Sequence, residues 1–482
     1  MHFAVIARII GMLLMIFSGT MLIPALVALV ARDGAVMAFL TAFVLCFGCG
    51  GILWLFVRRA QSELNIRDGF LVVALFWTVL GGFGSLPFLL ADSLSLPLSD
   101  AVFESVSGLT TTGATVITGL DDLPVSILFY RQLLQWLGGI GIIVIAVAIL
   151  PVLGIGGMQL YRAETPGPVK DSKLTPRITG TAKALFLIYL YLTIACTLAY
   201  WFAGMTFFDA ICHAFSTVAI GGFSTHDASL GFFDNPMILL IATVFMMLAG
   251  INFAVHFFTW RSKRLYHYLR DSETRFYLLA VAFAAVVAAG FLSLTNTYSP
   301  QDSLILGIFH TVSIATTTGF AAADFSVWPT FLPIGLILMS FMGGCGGSTA
   351  GGMKVVRVML ISKQGVRELK QLIHPNAIIP LKVGNKRVDA KTVSAVWSFF
   401  AVYMFSFLLI LLVLMACNMD YITAFSATSA TLNNLGPGLG DVSANYGAVT
   451  QTAKWVLCYA MLLGRLEIFT LLVLFTPAFW RH

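Results

Sequence analysis

Four glycines, Gly113, Gly222, Gly319 and Gly436, each close a short stretch of small or hydroxyl residues, and the four stretches recur about 100 residues apart. They read GLTTTGAT (108–115), FSTVAIGGFS (215–224), SIATTTGFAA (313–322) and SATLNNLGPG (429–438). Each follows a half-apolar segment of roughly 10 to 13 residues, too short to cross a bilayer, and a long apolar span lies on either side. A repeated unit of this kind must be read as one architecture rather than as separate segments. Glycine is required where backbone turns sharply or approaches a bound species closely. Four such turns around one axis could aim backbone carbonyls at a single ion, replacing its hydration shell.

The surrounding chemistry restricts where such a chain can live. The chain is 59% hydrophobic and only 10% charged, which excludes a soluble globular fold. Ten apolar spans are expected, at 4–31, 36–57, 69–91, 128–150, 182–204, 235–258, 276–295, 330–360, 393–417 and 450–476. The first is too long for a signal peptide, lacks a small-residue cleavage site, and is followed at once by a second span. Segments 91–127, 202–236, 292–333 and 418–449 hold 12 acidic residues and no Lys or Arg. The connectors 58–68, 158–183, 260–275 and 362–392 are basic instead, through residues such as Arg58, Lys170, Arg264 and Lys370. The positive-inside rule then places the connectors and both termini in the cytoplasm and the glycine segments outside. The net charge of +6 is topology, with no nucleic-acid partner implied. An acidic outer face would gather cations at a pore mouth.

With the glycine as position zero, the repeats align in register. Position −9 is Glu104, His213, His310 and Ala427, and position −13 is Asp100, Asp209, Leu306 and Thr423. A second glycine follows in each outgoing span, Gly139, Gly250, Gly344 and Gly464. The short segment before each filter glycine suits a re-entrant helix whose carbonyl end points inward and favours a cation. Asp100 and Asp209 stand near the starts of two of these helices, where a carboxylate complements exposed N–H groups. The candidate filter is Thr110, Thr111, Thr112 and Gly113; Ala219, Ile220, Gly221 and Gly222; Thr316, Thr317, Thr318 and Gly319; and Asn433, Asn434, Leu435 and Gly436. The carbonyl ligands of the bound ion are expected at Thr111, Thr112, Ile220, Gly221, Thr317, Thr318, Asn434 and Leu435. None of the sixteen is a carboxylate or a cation, so neutral coordination of a large monovalent cation fits better than a divalent or anion pore. The plainer reading of one such motif is tight helix packing by small residues. Four copies in register argue against it.

Two elements break the symmetry. FMGGCGGSTAGGMK (341–354) cannot hold a rigid helix, and a broken helix with a gate loop is expected there, formed by Gly343, Gly344, Gly346, Gly347, Ser348, Thr349, Gly351 and Gly352. Its likeness to a phosphate-binding loop fails, because Met353 separates Gly352 from Lys354 and no strand precedes it. Arg465 follows Gly464 in mid-span, where an arginine is costly and faces a cavity or a partner. It reads either as an electrostatic barrier below the filter or as a structural ion pair, for instance with Glu467. Arg131 and Lys454 read as packing or filter support. The seven cysteines read as buried inert thiols, including the CxxC of Cys46 and Cys49.

On the four filter segments, the glycine-rich break and Arg465, the chain from about residue 69 onward resembles the Trk/Ktr/HKT superfamily of potassium transporters. The two extra N-terminal spans make it similar to the bacterial TrkH branch rather than to KtrB. The resemblance implies an all-α polytopic membrane fold, with four M1–P-loop–M2 repeats around a pseudo-fourfold pore plus two N-terminal helices. The divisions are 1–66, 67–157, 158–260, 261–362 and 363–482. It also implies K+ as the bound permeant ion, a homodimer in lipid of the bacterial inner membrane, and a cytosolic TrkA-like ring that carries the nucleotide, with no organic cofactor in this chain. Serine in place of the first filter glycine accompanies Na+ transport in plant members, so Gly113 favours K+. The fourth segment departs from the others at Asn433, Asn434 and Pro437, which puts a strict fourfold ion cage in question. A secondary transporter coupled to H+ or Na+ stays open as the alternative. An intramembrane enzyme would need a convergent set such as HExxH, which the sequence lacks.

Overall fold

The computed structural model describes residues 1–60, 64–139, 141, 178–377, 379–384 and 386–481. The basic residues Arg162, Lys170, Lys173 and Arg177 of the second connector, and the boundary at 157/158, lie outside the described residues. Six of the ten expected spans are continuous helices long and apolar enough to cross a membrane: Phe3–Ala31, Val36–Val57, Arg67–Leu90, Lys183–Phe202, Ser272–Leu294 and Ala390–Ala416. Two more are bent pairs. Pro236–Ala249 turns by 95° into Phe253–Ser262, and Gln451–Arg465 turns by 110° into Phe469–Phe475. The span expected at 128–150 is described as the helix Val125–Gly139. The span at 330–360 is broken, with a helix at Leu332–Ser340 and another at Val355–Ile373.

Local chemistry accounts for the bends. Asn252 starts a new helix by accepting the Ala254 N–H at 2.8 Å, so the chain reinitiates instead of continuing straight. In the fourth repeat, Glu467 and Ile468 both adopt positive φ, 51° and 59°, which ends the helix after Arg465. In the third, Gly343, Gly347 and Gly352 take φ of +61°, +77° and +70°, values that disallow a continuous helix. One departure from an all-α fold is a two-stranded ribbon in the last basic connector, pairing Lys382–Val383 with Lys386–Arg387.

Between the spans lie four short helices, Leu98–Leu109, Phe207–Ala219, Pro300–Ala315 and Tyr421–Leu432. The third is 16 residues long, exceeding the expected length. Three begin on side-chain caps: Thr206 accepts from Asp209 N, Ser299 from Asp302 N, and Asp420 from Ile422 N and Thr423 N. The Asp420 carboxyl is held below its ordinary value, mainly by its hydrogen bonds from Thr423. A short 3-10 turn follows each filter segment, at Leu120–Asp122, Ser229–Phe233, Phe325–Val327 and Gly440–Val442.

Two large clusters dominate the apolar core. One cluster joins the N-terminal helices to the first and fourth repeats through residues such as Trp77, Tyr130, Phe103 and Tyr446. The other joins the second and third repeats through Tyr189, Tyr200, Met246 and Tyr277. The two N-terminal helices cross at Gly11 and Gly50, where a Cβ on either would stand 2.8 Å from the other's carbonyl oxygen. All seven cysteines are free, and most are buried as expected, but Cys49 is exposed.

Candidate ion-permeation site

Every short helix ends in the same way. The residue two before the filter glycine takes positive φ: Thr111 56°, Ile220 55°, Thr317 65° and Asn434 54°. The next N–H reaches back to the helix: Thr112 to Ser107, Gly221 to Ser216 and Thr318 to Ser313 at 2.8 Å each, and Leu435 to Ala430 at 2.7 Å. The positive-φ residue itself donates three residues back, to Gly108, Thr217, Ile314 and Thr431. These paired bonds make a Schellman cap. Glycine or asparagine ordinarily fills its left-handed position, whereas three of the four here are β-branched. Such residues in that region are strained by about 1–3 kcal/mol each and collect at functional sites.

The filter glycines have positive φ as well, between +79° and +99°. Handedness therefore alternates along each strand, because the intervening residue does not share the positive φ. The four strands also meet in a closed cycle. A Cβ on Gly113 would collide with the Gly221 carbonyl oxygen, one on Gly222 with that of Thr318, one on Gly319 with that of Leu435, and one on Gly436 with that of Thr112. Each glycine thus faces the backbone one residue before the next repeat's glycine, and the fourth returns to the first. The asparagines of the fourth segment leave this cycle intact. Their side chains are taken up elsewhere, Asn433 by Tyr403 and Ser340 and Asn434 by Thr112 and the Met461 carbonyl.

The aligned side chains at position −9 tether the strand beyond the glycine. Glu104 accepts from the Thr115 hydroxyl at 2.9 Å and from Val116 N at 3.0 Å. The His213 Nε2 lies 2.9 Å from the Ser224 hydroxyl, and the His310 Nε2 lies 3.0 Å from the Ala323 carbonyl oxygen. Ala427 cannot do this, and its neighbour Ser426 accepts from Leu439 N at 2.8 Å instead. Behind them are buried ion pairs: Arg131 with Glu104 at 2.8 Å and Lys454 with Asp100 at 2.9 Å. Arg131 also donates to the Ser224 carbonyl at 2.9 Å, linking the first and second strands. Asp209 accepts from the Thr206 and Thr225 hydroxyls, at 2.7 Å each. Among the described residues, no group of three or more His, Cys, Asp or Glu could hold a metal ion.

The glycine-rich break lies directly against the strands. Gly351 N donates to the Thr317 hydroxyl at 2.7 Å, and Gly352 N donates to the Asn433 carbonyl at 3.0 Å. The Thr349 hydroxyl donates to the Val218 carbonyl at 3.0 Å, and Cys345 N to that of Gly250 at 2.8 Å. Glu273 ties the loop to the helix that follows it, accepting from Gly346 N at 2.7 Å and Val356 N at 3.1 Å. Arg465 crosses from the fourth repeat. It donates to the Thr111 hydroxyl at 3.2 Å, to the Thr349 carbonyl at 3.3 Å, and to the carbonyls of Gly138 and Gly139. Glu467 pairs with Arg357, not with Arg465.

The sequence reading missed Arg357, Glu273 and Tyr403, together with Gln135, which bonds the Gly221 carbonyl and Phe223 N. A signal existed for two of them. Arg357 interrupts the apolar run VVRVML (355–360), and Gln135 lies in the apolar helix Val125–Gly139. Polar residues in such places are expected to serve a partner.

These features define a polytopic membrane protein in which four helix–strand units close on one another at a common centre. The TrkH family model, described as "Cation transport protein", matches residues 35–482. The chain belongs to that family. It is 57% identical to the Trk system potassium uptake protein TrkH of Vibrio parahaemolyticus, with all of both chains covered. It is 54% identical to the TrkH of Escherichia coli strain K12, again over all of both chains, and 41% identical to that organism's TrkG, covering all of this chain and 99% of the relative. The crystal structure of the potassium transporter TrkH from Vibrio parahaemolyticus superposes with a TM-score of 0.91 at 54% identity, covering 100% of both chains.

Proposed function

We propose that the chain takes up K+ across the bacterial inner membrane through a filter of backbone carbonyls at 111–113, 220–222, 317–319 and 434–436. The observation that carries this reading is the closed cycle of four glycines, each against the next strand's backbone. Such a ring fixes the spacing of neutral oxygens around one ion without a charged ligand. Non-helical backbone at membrane depth persists only when buried in protein or lining a wet cavity, and these strands meet that condition. The connectors are basic and the filter-side segments acidic, which supports a filter open to the outside and termini in the cytoplasm.

Below the filter, the loop 343–352 and Arg465 form a barrier to flow. Arg465 joins the first, third and fourth repeats, and Thr349 extends the link to the second. A homodimer and a cytosolic nucleotide-binding ring complete the proposal, the ring acting on the loop through the helix Val355–Ile373. Ion flux into liposomes holding the purified chain alone tests the filter, with K+, Rb+, Na+ and Li+ compared for the wild type and Gly113→Ser. Preference for K+ and Rb+, weakened by the substitution, is the expected result. Flux that appears only under an imposed H+ or Na+ gradient would move the protein to the coupled-transporter class.

A further inference from the structure

We propose that Gln135 is a positioning residue that sets ion selectivity, supporting the second filter strand as a threonine pair supports the first and third. The inference rests on the filter reading above. In the first strand the hydroxyls of Thr110 and Thr112 lie 2.8 Å apart, and in the third those of Thr316 and Thr318 lie 2.7 Å apart. Each pair ties position −3 to position −1 across the strained residue. The second strand has Ala219 and Gly221 at those positions and cannot form the pair.

Gln135 fills the gap from the helix Val125–Gly139, with no exposed surface. Phe223 N donates to its Oε1 at 3.1 Å, and its Nε2 donates to the Gly221 carbonyl at 2.6 Å. The backbone N–H fixes which end of the amide is which, since only oxygen can accept it. Gly221 is not among the residues with positive φ, so its backbone does not require glycine. Space does: a Cβ there would stand 2.5 Å from the Gln135 Oε1 and 2.8 Å from its Nε2. Gly221 and Gln135 are therefore one unit, the glycine making room and the amide replacing the missing hydroxyls. The carbonyl it holds belongs to the ring that the glycine cycle closes. Among the described residues, no side chain donates to the matching carbonyls of Thr112, Thr318 or Leu435. Gln135 thus fixes a strand that has no hydroxyl pair, keeping the ring at the width of a larger ion. Without it, that strand can close on a smaller one. The fourth strand, with Asn433 and Leu435 at those positions, is held instead through the Asn433 side chain by Tyr403 and Ser340.

The test measures the K+ to Na+ flux ratio in liposomes for wild type, Gln135→Ala, Gln135→Glu, Gly221→Thr and Gln135→Ala/Gly221→Thr, with Gly222→Ala as a control on the filter itself. Gln135→Ala and Gln135→Glu should each lower the ratio by about tenfold, equivalent to about 1.4 kcal/mol. Gly221→Thr should be more harmful alone than beside Gln135→Ala, where the amide no longer occupies its space. Gln135→Glu keeps the size and the acceptor for Phe223 but loses the donor. Its loss of the extra thermal stabilisation by KCl over NaCl, in detergent, supports the proposal even if Gln135→Ala fails to fold. A wild-type ratio in both Gln135 variants, with the ratio lost in Gly222→Ala, would reduce Gln135 to packing and leave the filter reading standing. A ratio unmoved by any variant, Gly222→Ala included, would overturn both.

Discussion

The filter strands and the layer beneath them are built on opposite rules. In the strands, four different sequences give one geometry. The positive-φ residues span 54° to 65°, and the capping bonds differ by 0.1 Å. Beneath them, aligned positions do unlike things. Gly250 marks a bend, Gly344 begins a broken loop, and Gly464 precedes an arginine that reaches two other repeats. An ion held by backbone oxygens needs equivalent ligands on all sides. A barrier needs one element able to move without moving the rest. Under the function proposed above, selectivity belongs to the strands and gating to the layer beneath, which touches them through Thr317, Asn433 and Thr111.

Deleting residues 346–349 would break the comparison most strongly. The deletion removes the Thr349 link to the Val218 carbonyl and the Gly346 anchor on Glu273. Flux through the chain alone should rise by an order of magnitude or more, about 1.4 kcal/mol of barrier per tenfold, while the K+ to Na+ ratio holds. A closed-state flux that stays unchanged would remove the loop from the barrier. Arg465→Ala should act in the same direction but less, raising flux several-fold, because the loop's own bonds to Thr317 and Asn433 remain. Reduced flux in a folded variant would show that Arg465 supports the filter through Thr111 instead.

Much of this was legible before any coordinates, for a physical reason. Re-entrant helices, spans and filter turns are local, and each leaves its own mark in the chain: a short half-apolar run, a glycine, a second glycine at a fixed offset. The break at 341–354 was equally readable, because six glycines cannot sustain a helix. Partners across repeats were not legible. Glu467 was a natural companion for Arg465 two residues away, yet it pairs with Arg357 across 110 positions. The chain turns through 110° at that point and sends the two side chains to different neighbours. Similarly, Asn433 and Asn434 looked like a defect in the fourfold pattern. Only the packing reveals that Tyr403, Ser340 and Thr112 take up their side chains and leave the backbone as in the other repeats.

The smallest expected effect sharpens the comparison within the symmetric layer itself. Two pore helices start on neutral caps, Thr206 and Ser299, whereas the fourth starts on Asp420. Its folded-state value is depressed below the ordinary 3.8 by the hydrogen bonds from Thr423. A depressed carboxylate contributes stability above its unfolded value and loses it as pH falls through the folded one. The fourth helix should therefore loosen in acid, below about pH 4. Asp420→Asn keeps a cap that does not ionise, so wild type should exceed it in thermal stability near neutral pH and lose that advantage in acid. Asp420→Ala should cost about 1 kcal/mol near neutral pH, the usual value of a cap. A wild-type advantage over Asp420→Asn that persisted unchanged to pH 3 would show that the carboxylate charge contributes nothing, and that all three caps are equivalent.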